Sequence, residues 1–284
     1  MKTGVTSAKG KEVFIGDGLP TVLIGERINP FGKNGIKEAL AAGDMEPIRA
    51  EALHQTEAGA DILNVCVSAF GIDETVVLPR VVRELSALVD VPLCLDSRNP
   101  EALEAALQAG CGKPLINSIS GEEGVLDKVL LLVKRYDTAV VALATDSAGI
   151  PAKPEKRLDV IRRIVDRAEA SGIGREKILA DCLAESVGIN PQAAGITLET
   201  MRMVKEDLGL NLVLGASNIS FGLPMRKYIN TVFLSLAVKG GLDCAIVNVE
   251  AVKPFMLAAD LLTGRDARAR RYTTYCRALK GRTV

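Results

Sequence analysis

Three stretches share one layout: Leu93-Cys94-Leu95-Asp96-Ser97, Leu115-Ile116-Asn117-Ser118 and Leu212-Val213-Leu214-Gly215-Ala216-Ser217-Asn218. Each is a short apolar run that turns polar where a strand would stop. A fourth, Ile178-Leu179-Ala180-Asp181, lies between the last two. Apolar runs of this length, bounded by polar residues, read as buried parallel strands. In a closed α/β barrel the C-terminal ends of the strands form one mouth. Asp96, Asn117, Asp181 and Asn218 would then meet there.

Around these stretches strand and helix signals alternate eight times. Strands are expected at residues 22–28, 62–67, 93–96, 115–119, 139–144, 178–181, 212–216 and 244–249. Apolar residues at spacings of three and four predict helices over 73–88, 125–136 and 156–170. Asn99-Pro100 starts another, with Asn as cap and Pro in the first turn. Thr197 is expected to begin a further one. Eight strand–helix units joined by short links predict a (β/α)8 barrel. The alternative is a doubly wound open sheet, and no GxGxxG follows the first strand to support it. Gly16-Asp17-Gly18, flanked by residues 12–15 and 21–23, reads as a short N-terminal hairpin closing the barrel's bottom. Residues 265–280 read as a terminal helix whose Arg265, Arg268, Arg270 and Arg271 form a solvated face. No linker is apparent, so residues 1–284 are expected to form one domain.

The bulk numbers narrow the function. The chain has 284 residues, 48% of them hydrophobic, with 35 basic and 35 acidic side chains. A balanced charge argues against nucleic acid or an anionic membrane as partner. No apolar run is long enough to span a bilayer, and residues 1–11 lack the apolar core of a signal peptide, so a cytoplasmic protein is expected. None of the six cysteines forms a CxxC pair, and they read as reduced small hydrophobes. The one histidine, His54, falls in a helical stretch over 46–58. A multi-histidine zinc site and histidine acid–base catalysis are therefore not expected, and no metal is assigned.

Each polar strand end has a bland reading. Asp96 could cap the next helix, although Asn99 already does so. Asn117 and Asn218 could serve turns, and Asp181 could pair with a nearby cation. Together they suit a flat, hydrogen-bonding heterocycle. A carboxylate accepts two parallel N–H bonds, which the amino-pyrimidinone edge of a pterin offers. Asparagine adds a donor and an acceptor for the remaining ring nitrogens and carbonyl.

The same residues carry a family resemblance. Gly25-Glu26-Arg27-Ile28-Asn29, Ala60-Asp61-Ile62-Leu63-Asn64-Val65, Leu93 to Ser97, Ile116-Asn117-Ser118 and Gly215 to Ser220 resemble the pterin-binding methyltransferases. These are the methyltetrahydrofolate:corrinoid protein methyltransferases, related to the folate domain of cobalamin-dependent methionine synthase. The resemblance covers residues 22–262. It implies that Asp96, Asn117 and Asp181 hold the pterin and that Asn218 sits at N5, with Glu26, Asn29, Asn64 and Ser217 as secondary site candidates. It implies methyl transfer between N5 of tetrahydrofolate, as 5-methyltetrahydrofolate, and the cobalt of a corrinoid (cobalamin). The chain lacks an Asp-x-His-x-x-Gly corrinoid motif, so the corrinoid would arrive on a separate partner protein, as in anaerobic one-carbon pathways. A homodimer is also implied.

Two positions depart from the family pattern. Cys182 stands where proline usually follows the third anchor, and Phe221 stands where corrinoid-protein enzymes often carry glutamine. Two other readings remain at this stage. A dihydropteroate synthase-like enzyme would need a basic pair in the turn that here reads Ser217-Asn218-Ile219-Ser220. A non-catalytic folate-binding protein would need only the anchors.

Overall fold

A strand covered on both faces must be apolar at consecutive positions, and the barrel strands meet this condition. The computed structural model describes residues 1–32 and 35–280. Its barrel strands are β3 (Val22–Ile28), β4 (Ile62–Cys66), β5 (Leu93–Asp96), β6 (Leu115–Ile119), β7 (Ala139–Leu143), β8 (Ile178–Asp181), β9 (Asn211–Gly215) and β10 (Cys244–Val247). All neighbours are parallel, and β10 pairs with both β9 and β3 to close the ring. The surrounding helices are α1 (Ile36–Ala42), α2 (Glu46–Ala58), α3 (Glu74–Leu88), α4 (Pro100–Gln108), α5 (Glu123–Tyr136), α6 (Pro154–Ala170), α7 (Ala193–Leu208), α8 (Arg226–Lys239) and α9 (Val249–Leu262). The (β/α)8 barrel expected from the sequence is the observed fold.

Side chains alternate between the two faces of a strand. One set, including Leu63, Val65, Leu95, Ile116, Val140, Ala180 and Leu214, packs outward in the large core shared with the helices. The other set fills the barrel: Ile24, Ile62, Cys94, Leu115, Val141, Leu179, Val213 and Ile246. Two residues further along each strand direction, the inward positions read Glu26, Asn64, Asp96, Asn117, Leu143, Asp181, Gly215 and Asn248. The barrel interior therefore changes from an apolar layer to a mostly polar one at the mouth.

The bottom is closed by a hairpin, but not the expected one. β1 (Lys2–Thr6) pairs antiparallel with β2 (Glu12–Gly16), and the turn lies between Thr6 and Glu12. Gly16-Asp17-Gly18 instead leads from the hairpin into β3. Thr21 cannot fold back on β2 because its N–H is held by Asp260 at 3.0 Å and the strand it enters is paired on both edges. Val5 and Ile15 are fully buried and belong to the inner apolar cluster, so the hairpin plugs the barrel. Asn211 fastens it, its Nδ2 donating to Thr3 Oγ1 at 2.9 Å and to Ile15 O at 3.1 Å.

Other elements differ in detail. The helix expected from Thr197 starts at Ala193, and Thr197 lies inside it, its hydroxyl donating to the carbonyls of Ala193 and Leu183. The terminal helix is α10 (Arg270–Lys280), preceded by a 3₁₀ turn. Its basic run is not simply solvated. Arg265 donates to Thr21 Oγ1 and to the carbonyls of Leu242 and Val238, and Arg271 pairs with the buried Asp260 at 3.1 Å. These arginines tie the C-terminal segment to the barrel's bottom. His54 stands on α2 near Glu51 and Glu250.

Ile15 tests the plug. Ile15→Ala is expected to lower the unfolding free energy by about 2–5 kcal/mol, the range for deleting a fully buried branched side chain. Denaturant unfolding would measure this, with a lower midpoint and an unchanged slope.

Candidate active site

The polar inner layer is built from strand ends. Asp96 ends β5 and its register partner on β6 is Asn117. Asn64 on β4 links them: its Nδ2 donates to Asp96 Oδ2 at 2.8 Å, and its Oδ1 accepts from Asn117 Nδ2 at 3.4 Å. Both ends of the buried Asn64 amide are thus engaged, which orients Asp96 and Asn117. Asp96 Oδ1 and the side-chain Oδ1 of Asn117 are left without a hydrogen bond to a described residue, which suits two different ring atoms. Asp96 does not cap α4. That task belongs to Asn99, whose side chain accepts from the N–H groups of Glu101 and Ala102.

Asp181 ends β8 and is 6% exposed. Its Oδ1 accepts from the Leu183 N–H at 2.8 Å and its Oδ2 from the Gly215 N–H at 3.3 Å. Each oxygen keeps a second acceptor site, so the carboxylate is oriented yet still able to take a parallel pair of N–H donors. Burial pushes its pKa up to about 6, against those two amides and the charge of Arg157. Arg157 does not touch it. This guanidinium is fully buried and binds the carbonyls of Pro151, Cys182 and Leu183 and the carboxylate of Glu185. It props the segment that gives Asp181 its first amide, and Cys182, where the family pattern has proline, contributes a carbonyl to this support.

The acids at the two ends of the barrel are treated differently. At the bottom, Asp243 pairs with Lys205 and Asp260 with Arg271. At the mouth, neither Asp96 nor Asp181 forms an ion pair with a described residue, and burial raises the pKa of both. Carboxylates without a cation partner, with pKa values raised by burial at the mouth of a barrel, make a functional-site candidate with a physical rationale.

Asn218 is not at the end of a strand. β9 stops at Gly215, and residues Ala216–Ser220 form a 3₁₀ turn that carries Asn218, exposed, at its middle. The turn closes with the Phe221 N–H on the Asn218 carbonyl at 3.0 Å. Its side-chain Nδ2 lies over Gly215: a Cβ there would come within 3.2 Å of it. Gly215 thus gives its N–H to Asp181 and its open face to Asn218, which brings the third anchor and this amide together. Ser217 donates from Oγ to Glu26 Oε1 at 2.8 Å. Asn29 stands apart, since its Oδ1 accepts from the Phe31 N–H and starts a loop turn.

Three contributors were not read from the sequence. Asn248 follows Ile246 by two, so the strand period pointed to it. Its side chain caps α9 while its backbone N–H meets Glu26. Arg226 donates to Ser217 O at 2.6 Å and to Ser220 Oγ at 3.0 Å. Nothing in local sequence marks it. Arg157 sits on the apolar face of a predicted amphipathic helix, where an arginine reads as an interruption.

The buried thiols offer no nucleophile. Burial pushes Cys66, beside the site, up to about 12, and holds Cys94 and Cys182 well above their ordinary value, where the reactive thiolate is scarce.

Comparison with known proteins shows the family. The family of pterin binding enzymes matches residues 25–248, from the motif that holds Glu26 to Asn248. The chain is 33% identical over 263 residues to methylcorrinoid:tetrahydrofolate methyltransferase of Eubacterium limosum, covering 89% of this chain and 94% of that protein. It is 33% identical over 249 residues to methionine synthase of Mycobacterium leprae, covering 83% of this chain but only 21% of that longer enzyme. Among solved structures, dihydropteroate synthase of Xanthomonas albilineans with 4-aminobenzoic acid superimposes with a TM-score of 0.69 at 21% identity, over 92% of this chain and 98% of that one. At that identity the likeness concerns the fold alone. By the matched family and by its methyltransferase relative, the chain belongs to the pterin-binding enzymes.

Proposed function

We propose that this protein transfers a methyl group between N5 of tetrahydrofolate and the cobalt of a corrinoid carried by a partner protein, in anaerobic one-carbon metabolism. The observation that carries this reading is the polar inner layer, in which Asp96, Asn117 and Asp181 stand oriented but with acceptor capacity left over. The relatedness to a methylcorrinoid:tetrahydrofolate methyltransferase along nearly the whole chain supports tetrahydrofolate as the substrate of that layer. The enzyme would work in the cytoplasm and as a homodimer. Dihydropteroate synthase chemistry is less well served. The turn after β9 has no basic pair, and the nearby Arg226 is engaged with Ser217 and Ser220.

Transfer of this kind is an in-line displacement and needs no protein nucleophile. The protein's task is position, together with polar groups matched to charge that moves on and off N5. Asp181 and Asp96 would take the N–H donors of the pterin edge, and Asn117 the neighbouring ring atoms. Asn218 would lie at N5. An amide can accept from a protonated N5 or donate to a neutral one by turning over. The corrinoid supplies a cobalt that takes or gives the methyl group.

The raised pKa of Asp181 gives binding a pH signature. N–H donors on the ligand favour the carboxylate, so below about pH 6 binding must expel the proton that burial retains. Tetrahydrofolate affinity is expected to rise between about pH 5 and pH 7 and then level off. Asp96, also raised by burial, works in the same direction. Asp181→Asn is expected to flatten most of this slope and to weaken binding at neutral pH roughly ten- to a hundred-fold, the value of a charge-assisted pair. Calorimetry in two buffers of different ionisation enthalpy would detect proton release by the wild type below about pH 6, and little by the variant.

Turnover tests the function itself. With methylcobalamin and tetrahydrofolate, the wild type is expected to form 5-methyltetrahydrofolate, followed by the cobalamin absorbance. Tight folate binding without turnover, with free methylcobalamin or with a corrinoid protein, would favour the binding-protein reading. In the same assay Asn218→Ala is expected to lower kcat roughly ten- to a thousand-fold, the range for removing one polar group that follows transition-state charge. An unchanged kcat with a raised KM would confine Asn218 to ground-state binding.

A further inference from the structure

Three acids stand in the upper inner layer, and the pterin reading uses two of them. The third, Glu26, ends up on a different partner. It sits near the end of β3, and β10 separates β3 from β9 in the ring. Its carboxylate accepts from Ser217 Oγ at 2.8 Å and also meets the backbone N–H of Asn248. One side chain thereby joins the ends of β3 and β10 to the turn after β9.

That turn is held from both sides. Ser217 gives its hydroxyl to Glu26 and its carbonyl to Arg226 Nη2 at 2.6 Å. Arg226 Nε reaches Ser220 Oγ at 3.0 Å. The residue between these fixed points is Asn218, whose side chain makes no hydrogen bond to a described residue. A mobile amide would sample many orientations at N5, and a fixed neighbour removes that freedom. Half-burying a carboxylate to hold a serine hydroxyl is an expensive way to stabilise a loop alone. Burial raises the pKa of Glu26, opposed by Ser217, by the charges of Arg226 and Arg27 and by the Asn248 amide.

We propose that Glu26 is a positioning residue for the methyl-transfer step: anchored in β3, it fixes Ser217 and so presents the Asn218 amide to N5 of the pterin. The proposal rests on the methyl-transfer reading above. It assigns Glu26 a role through Asn218 and not a contact with the pterin ring.

A double-mutant cycle on kcat separates these roles, since residues acting through one another are not additive. Glu26→Ala is expected to lower kcat by about ten- to a hundred-fold, while the tetrahydrofolate Kd stays within about twofold. Glu26→Gln keeps an oxygen for Ser217 and is expected to recover most of the loss. In an Asn218→Ala background, Glu26→Ala is expected to cost no more than about a further twofold. Should Glu26→Ala fail to fold, Ser217→Ala breaks the same link with a smaller change, and the same non-additivity is expected. Losses that multiply would overturn the proposal, as would a Kd that weakens in step with kcat or a wild-type kcat in Glu26→Ala or Ser217→Ala. A wild type that binds tetrahydrofolate without turnover would instead overturn the methyl-transfer reading, and the proposal with it.

Discussion

In a closed parallel barrel every second residue of a strand is committed to the inside, and no neighbour can relieve that commitment. The rest of this structure depends on that constraint. Moving two residues along a strand advances one layer toward the mouth on the same face. Ile24 gives way to Glu26, Ile62 to Asn64, Cys94 to Asp96, Leu115 to Asn117, Leu179 to Asp181 and Ile246 to Asn248. The lower residues of these pairs make a dry core plugged by Val5 and Ile15. The upper ones make a polar floor. A register slip of one residue would send the polar set into the helix-facing core and the apolar set to the mouth, so the packing that stabilises the barrel also aims the site.

Two kinds of acid follow from this arrangement. The acids below the barrel answer structural needs: Asp61, Asp243 and Asp260 accept the N–H groups of Leu23, Leu212 and Thr21, and the last two also meet a cation. Asp96 and Asp181 are oriented by neutral donors and meet no cation at contact distance among the described residues. A buried carboxylate held this way is destabilised in its charged form. A ligand that brings its own N–H donors relieves that penalty.

Much of this was legible in the sequence because short apolar runs carry their own boundaries. All eight barrel strands fell within two residues of their expected ends, and Asn99-Pro100 marked its helix start correctly. Asp96, Asn117 and Asp181 were also visible, since a polar residue closing an apolar run stands out. What the sequence concealed was non-local. The hairpin was assigned to the wrong pair because Thr21–Leu23 has strand propensity for either partner, and only the parallel pairing on both edges of β3 decides between them. Asn218 was placed at a strand end because the 3₁₀ turn after Gly215 depends on contacts from Arg226, beyond the turn, and from Glu26, distant in sequence. The sharing of the Asn64 amide between Asp96 and Asn117 was likewise not legible, because it depends on three neighbouring strands. Arg157 was hidden in the apolar face of α6, where only the carbonyls beyond β8 explain it.

The central claim is that one inner layer of the barrel, two residues above its dry core, is the pterin site. A crystal structure of the protein with tetrahydrofolate tests it most directly. The account predicts the pterin ring lying on that layer, with ring N–H groups on the carboxylates of Asp96 and Asp181, Asn117 at the ring edge, and N5 beside Asn218. A pterin bound elsewhere, with Asp96, Asn117 and Asp181 keeping only their present protein partners, would contradict it.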